Sequence, residues 1–171
     1  MGPSGSGKSS IIVYIRNRMN IRKLFSYTTR EPREGELEKG THMFVTKEEF
    51  LKLVKEGFFV EYEEIHGDYY GTPKVEEEGL WIKDIDVNGA LKLKEMYGSK
   101  VVTIFVDTDD KYLEDRLKER GELEENIRER LKRLHYERSL RDKFDYLVIN
   151  DRFYECAEEI ESIIKDIMLE N

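Results

Sequence analysis

A chain of 171 residues, 39% apolar and 39% charged with a net charge of −8, has the length of one folded domain and an apolar content that recurs at helix and strand periods, unlike a disordered polymer. The acidic balance excludes a general nucleic-acid binder, because phosphate backbones call for a basic face. No apolar run approaches the roughly 18 residues of a membrane span, and no charged-then-apolar leader is read, so the expectation is a soluble, cytoplasmic protein.

The first element is a loop. "GPSGSGKS" at residues 2–9 spells G-x-x-x-x-G-K-[ST] through Gly2, Gly7, Lys8 and Ser9. Glycines let backbone N–H groups converge on phosphate oxygens, Lys8 supplies a point charge, and Ser9 offers a hydroxyl to Mg²⁺. A helix is predicted from Lys8 to Met19 with Ile11, Ile12 and Ile15 inward, then a short strand in "KLFSYTT" (23–29). Thr46 opens "TKEEF", a capping box with Glu49, followed by the stripe Phe50, Leu53, Val54 and a stop at Gly57. "FFVEYEEI" (58–65) and "YYGT" (69–72) flank Gly67-Asp68 as a hairpin in a small sheet.

"LWIKDIDV" (80–87) and "KVVTIFVD" (100–107) read as strands bracketing a helix near 88–97, the second buried on both faces as in a parallel sheet. Helices are predicted over 109–120 and from 123 to about 141, broken at Gly121. "FDYLVIN" (144–150) reads as another buried strand. A last helix over about 153–169 carries Cys156, Ala157, Ile160, Ile163, Ile164, Ile167 and Met168 inward. In that pattern the one cysteine is a buried core thiol, which suits a reducing compartment. Strands alternating with helices indicate an α/β fold with a parallel sheet.

Other clusters admit two readings on residue type alone. "SYTTREPREGE" (26–36) sets Arg30 and Arg33 behind a run of hydroxyls: a second anion site, since Arg forks pair with phosphate, or an exposed charged turn. Arg116 and Arg120 at i and i+4, with Arg130 on the next helix, serve either phosphate binding or surface salt bridging.

Six blocks, "GPSGSGKS", "SYTTREPREGE", "EEIHGDYYGTP", "DIDVNGA", "DRLKERG" and "FDYLVIND", occur in the order found in guanylate kinases, so the chain resembles that family over nearly its whole length. The resemblance implies a P-loop NTPase-type parallel sheet flanked by helices (core 1–25, 87–110 and 135–171), a small mixed α/β GMP-binding lobe (26–86) and a helical lid (111–134). It implies Mg²⁺-dependent transfer of the ATP γ-phosphoryl group to GMP, with ATP and GMP as partners and neither nucleic acid nor membrane. ATP binding falls to Gly2, Pro3, Ser4, Gly5, Ser6, Gly7, Lys8, Ser9 and Ser10, with Asn150 near the adenine; Lys8, Arg116, Arg120 and Arg130 serve catalysis, and Ser9 and Asp84 the metal.

A guanine pocket needs carboxylates facing N1–H and the exocyclic amine and a hydroxyl facing O6, and Glu61, Asp86, Ser26 and Thr72 stand at the family positions that supply them. Arg30, Arg33 and Tyr70 stand at the phosphate positions. His42 replaces a tyrosine of the family, and the contact is either kept through the imidazole, with altered pH dependence, or lost. The resemblance departs in two further places: only Met1 stands where the family has a strand before the loop, and "TPKVEEEGLWIKDID" is shorter than usual. A kinase for a ribose bisphosphate and a protein-binding module are the alternative readings. Retention of Glu61, Thr72 and Asp86 counts against the first, and an intact Lys8 and Ser9 against the second.

Overall fold

The computed structural model describes residues 1–32, 42–65, 67–75, 78–119, 121 and 124–170. It divides into two compact units, Met1–Met19 with Asp84–Asn171, and Asn20–Lys83.

The first unit contains α1 (Lys8–Arg18), and its remaining elements follow after residue 83. It buries Ile11, Ile12 and Ile15 as the sequence pattern predicts. The second unit holds β1 (Arg22–Lys23), β2 (Ser26–Thr28), β3 (His42–Phe44), α2 (Lys47–Lys55), β4 (Phe59–Ile65), β5 (Asp68–Pro73) and β6 (Trp81–Ile82). The single strand expected over 23–29 is thus two: β1 pairs parallel with β6, while β2 lies between β3 and β5 in a four-stranded mixed sheet of order β3-β2-β5-β4. "LWIKDIDV" likewise forms a strand only at β6.

Thr46 caps α2 with the full reciprocal box, its hydroxyl accepting from the Glu49 amide while the Glu49 carboxylate accepts from the Thr46 amide. The helix packs Phe50 into an aromatic core, stacked on Phe59 at 4.6 Å and on Tyr69 at 5.4 Å between ring centroids. Leu53 and Val54 are only half-buried. β4 and β5 pair antiparallel as the predicted hairpin, with Gly67 at φ 89° in its turn, a conformation that favours glycine.

The first unit continues with α3 (Val87–Tyr97), β7 (Ile104–Asp107), α4 (Asp110–Glu119), α5 (Glu124–Ser139), β8 (Tyr146–Ile149) and α6 (Phe153–Glu170). β7 and β8 pair parallel. Phe105, Val106 and Asp107 of β7 are buried, and Phe105 stacks on Phe144 in a cluster with Val87 and Ala90. Ahead of the loop the backbone of Met1 pairs with β7: its nitrogen donates to the Ile104 carbonyl at 3.1 Å and its carbonyl accepts from the Val106 amide at 2.9 Å. That is the alternation of a parallel ladder, and it delivers Gly2 directly against β7.

Three burial expectations are corrected. The strand expected over 100–107 begins only at Ile104, and Val102 ahead of it is 39% exposed. β8 is not buried: Tyr146, Leu147 and Ile149 are 39%, 45% and 49% exposed, and only Val148 is enclosed. Among the described residues β8 pairs with β7 alone, so its side chains lack the cover that a central strand receives. In α6, Cys156, Ala157, Ile160 and Ile164 are buried, whereas Met168 lies in the final turn and is exposed.

Candidate functional site

The loop of residues 2–7 runs from β7 to the start of α1. Gly2 has φ 130°, and a Cβ there would stand 2.1 Å from the Val106 carbonyl oxygen; Gly7 has φ 88°, and a Cβ there would stand 2.3 Å from Asn150 Nδ2. Both positions combine a left-handed backbone with no room for a side chain, so only glycine fits. Gly7 also serves as the N-cap of α1 without any side-chain cap, and the first turn of the helix carries no acidic residue. The positive end of a helix dipole favours a negative group, and no side chain of the helix's own first turn supplies one. Lys8 Nζ donates to the carbonyls of Gly2 and Pro3 at 2.7 and 2.6 Å, which brings the ammonium over its own loop.

Asn150 holds this loop from below. It is 1% exposed, its Nδ2 donates to the Ser6 carbonyl at 2.6 Å, and its amide donates to the Asp107 carbonyl at 2.7 Å. Asn150 Oδ1 and Ser6 Oγ are buried without a hydrogen-bond partner.

Ser9 Oγ donates to Asp84 Oδ2 at 2.9 Å, so the two residues named for the metal come together in one unit. A hydroxyl and a carboxylate are hard oxygen donors, and Mg²⁺ usually keeps several waters and takes one or two protein groups plus phosphate oxygens. The pair fits that ion. Among the described residues no cluster of three or more His, Cys, Asp or Glu could hold a metal ion. Asp86 caps α3, its Oδ1 accepting from the amides of Asn88 and Gly89 at 2.9 and 3.2 Å. Nearby in charge, Glu137 is 8% exposed, and burial pushes its carboxyl above the usual range against the opposing pull of Arg133 and Lys8.

The arginines divide. Arg116 donates from Nη1 to the Gly5 carbonyl at 3.2 Å and from Nη2 to the Asn150 carbonyl at 3.0 Å, so it clasps the loop backbone. Arg130 Nη1 donates to Ser4 Oγ at 2.5 Å. Arg120 lies outside the described residues, as does Arg33. Arg128 pairs within α5 with exposed Glu124, the surface pairing its spacing suggests, whereas Arg133, also at i, i+4, pairs with the buried Glu137. Arg138, which no motif singled out, donates to both oxygens of buried Asp107, to Asp110 and to the Thr108 carbonyl. It ties α5 to the end of β7.

In the second unit Thr72, 1% exposed, donates its hydroxyl to Glu61 Oε1 at 2.7 Å across the β4/β5 ladder, where the two residues are register partners. Ser26 on β2 accepts at 2.6 Å from Lys83, a residue the sequence reading passed over because it lies outside the recognisable blocks. Ser26 is in register with His42, and Thr28 with Tyr70. The His42 ring stands 6.5 Å from that of Tyr70, and the Arg30 guanidinium lies over Phe44 at 5.7 Å while its Nη1 donates to the Glu31 carbonyl. One small sheet therefore carries Ser26, His42, Glu61, Tyr70 and Thr72, with Arg30 just beyond β2.

Cys156 is 1% exposed, and burial pushes its thiol up to about 11. A thiol held so far from its thiolate is no nucleophile. Among the described residues no helix is long and apolar enough to cross a membrane.

A family model described as guanylate kinase matches residues 1–167. The chain is 36% identical to a guanylate kinase of Clostridium tetani over 95% of its own length and 82% of the relative's. It is 37% identical to one of Fusobacterium nucleatum over 96% and 93%. Among solved structures it is similar to the guanylate kinase of Anaplasma phagocytophilum, with a TM-score of 0.72 and 32% identity over 92% of this chain and 80% of that one.

Proposed function

The chain belongs to the guanylate kinase family, and from that premise we propose that it transfers the γ-phosphoryl group of ATP to GMP, giving ADP and GDP. The observation that carries this reading is the loop itself: glycine-only backbone at Gly2 and Gly7, an uncapped α1 N-terminus, and Lys8 beside it. A binding module has no need of such a cradle.

Phosphoryl transfer asks a protein for positioning and charge neutralisation more than for covalent chemistry. The backbone of residues 2–10 takes the ATP phosphates, and Lys8 exchanges its loop carbonyls for phosphate oxygens. Asn150, expected near the adenine, is 1% exposed and instead contributes by fixing the loop through the Ser6 carbonyl. Arg116, Arg120 and Arg130 neutralise the transferred group. Ser9 and Asp84 would hold Mg²⁺, which would supply charge neutralisation to the ATP phosphates.

For the acceptor, Glu61 and Asp86 meet the donors of guanine, Ser26 and Thr72 supply hydroxyls, and Arg30, Arg33, His42 and Tyr70 take the GMP phosphate. The assignment keeps a GMP-binding lobe over 26–86 and a lid over 111–134. With two nucleotides as partners, and a net charge of −8 that offers no general basic face, the cytoplasm is the assigned compartment. The test is product analysis: incubation with ATP, Mg²⁺ and GMP yields ADP and GDP in equal amounts, and ADP without GDP would contradict the reading.

A further inference from the structure

Lys83 follows β6 and belongs to no motif, yet its ammonium reaches Ser26. Lys83 Nζ donates to Ser26 Oγ at 2.6 Å. An ammonium has three donors and no acceptor, so in this bond the hydroxyl can only accept. Its own single proton is turned away from the lysine and presented elsewhere.

Thr72 is arranged the other way. Its hydroxyl donates to Glu61 Oε1 at 2.7 Å, so its proton is committed to the carboxylate and it meets a ligand with lone pairs. The two hydroxyls of the lobe therefore have opposite polarity: Ser26 offers a donor, and Thr72 with Glu61 offers acceptors. Guanine presents an acceptor at position 6 and donors at N1 and the 2-amine, whereas adenine carries a donor at position 6. The lone donor of this pair matches O6, the lone acceptor on the Watson–Crick edge of guanine.

We propose that Lys83 is a positioning residue for base selection, holding Ser26 as an obligate donor so that its proton serves guanine O6 and an amine at that position is refused. A hydroxyl without such a neighbour rotates to suit either kind of ligand. Accepting from a cation also polarises the O–H and strengthens it as a donor. The inference rests on the reading of this lobe as the GMP site.

The experiment compares kcat/KM for GMP, for IMP, which keeps O6 but lacks the 2-amine, and for 2,6-diaminopurine riboside monophosphate, which carries an amine at position 6. The variants are Lys83→Met, Lys83→Arg and Ser26→Ala. In Lys83→Met, GMP and IMP fall together by about tenfold, the scale of one charged-group hydrogen bond, while the diaminopurine nucleotide does not fall, so discrimination at position 6 collapses. Lys83→Arg keeps the discrimination, because a guanidinium also only donates.

An equal loss for all three acceptors in Lys83→Met would mean a packing role and overturn the proposal. Discrimination lost in Ser26→Ala but kept in Lys83→Met overturns it while leaving the GMP lobe reading intact. Discrimination kept in both variants removes guanine O6 from Ser26 and overturns the proposal; the GMP lobe reading fails only if GMP itself is not phosphorylated by the wild type. If Lys83→Met does not show a cooperative thermal transition, Lys83→Ala replaces it under the same criteria, since it too removes the donor from Ser26.

Discussion

Ser9 and Asp84 are 75 positions apart in the chain, yet the serine hydroxyl donates to the carboxylate at 2.9 Å. The start of α1 and the segment that follows β6 thus bring a hydroxyl and a carboxylate together. Asp84→Asn keeps the shape and removes the charge. Its expected effect is a rise of about 10- to 100-fold in the Mg²⁺ concentration needed for half-maximal turnover, with GMP KM unchanged, measured by Mg²⁺ titration at saturating nucleotides.

Asn150 links the loop to β7 and β8 through the Ser6 and Asp107 carbonyls. Asn150→Ala leaves the buried Ser6 carbonyl without that donor, a loss of about 1–3 kcal/mol in stability. Because the loop is what moves, ATP KM rises about tenfold or more while GMP KM stays within about twofold. Denaturant unfolding and steady-state kinetics on the one variant check both halves.

Thr72→Val removes the hydroxyl that orients Glu61 and keeps the volume close to constant. GMP KM rises by about tenfold, on the scale of one hydrogen bond to a charged group, and ATP KM is unaffected. A matching rise in ATP KM would mean that the β4/β5 ladder, rather than base recognition, was disturbed.

Asp145 fastens the beginning of β8. Burial alone would raise its carboxyl, but Lys94 and the hydroxyl and amide of Thr103 hold it below the ordinary value of 3.8. A carboxylate depressed in the fold stabilises above its unfolded value and loses that contribution as pH falls through the folded one. The Tm of Asp145→Asn is therefore lower than wild type at neutral pH, and the gap closes below about pH 4. Thermal melts between about pH 7 and pH 2 measure it.

Local chemistry was the part of this molecule written most openly in the chain. The Thr46–Glu49 box, the Gly67 hairpin and the Ile11, Ile12, Ile15 face each depend on neighbours within a few positions, and each formed as expected. Exposure of Leu147 and Ile149 depends on what else packs against β8, and an apolar run carries no record of that. The same limit hid the Lys83–Ser26 and Arg138–Asp107 pairs, whose members are 57 and 31 positions apart. Arg spacing placed Arg116 and Arg130 on their helices, but only the tertiary structure turns them toward the loop, at Gly5 and Ser4. Met1 likewise pairs with β7 through two hydrogen bonds between residues more than 100 positions apart, which no local pattern announces.

The most direct test of the account is ADP formation from ATP and Mg²⁺ with GMP, AMP, CMP, UMP or no acceptor, in wild type and Lys8→Ala. Turnover that depends on GMP and falls by about 100-fold or more in Lys8→Ala, the scale seen when one charge-stabilising donor is removed, is the predicted result. Turnover indifferent to the acceptor, or GMP-dependent turnover undiminished in Lys8→Ala, would contradict it.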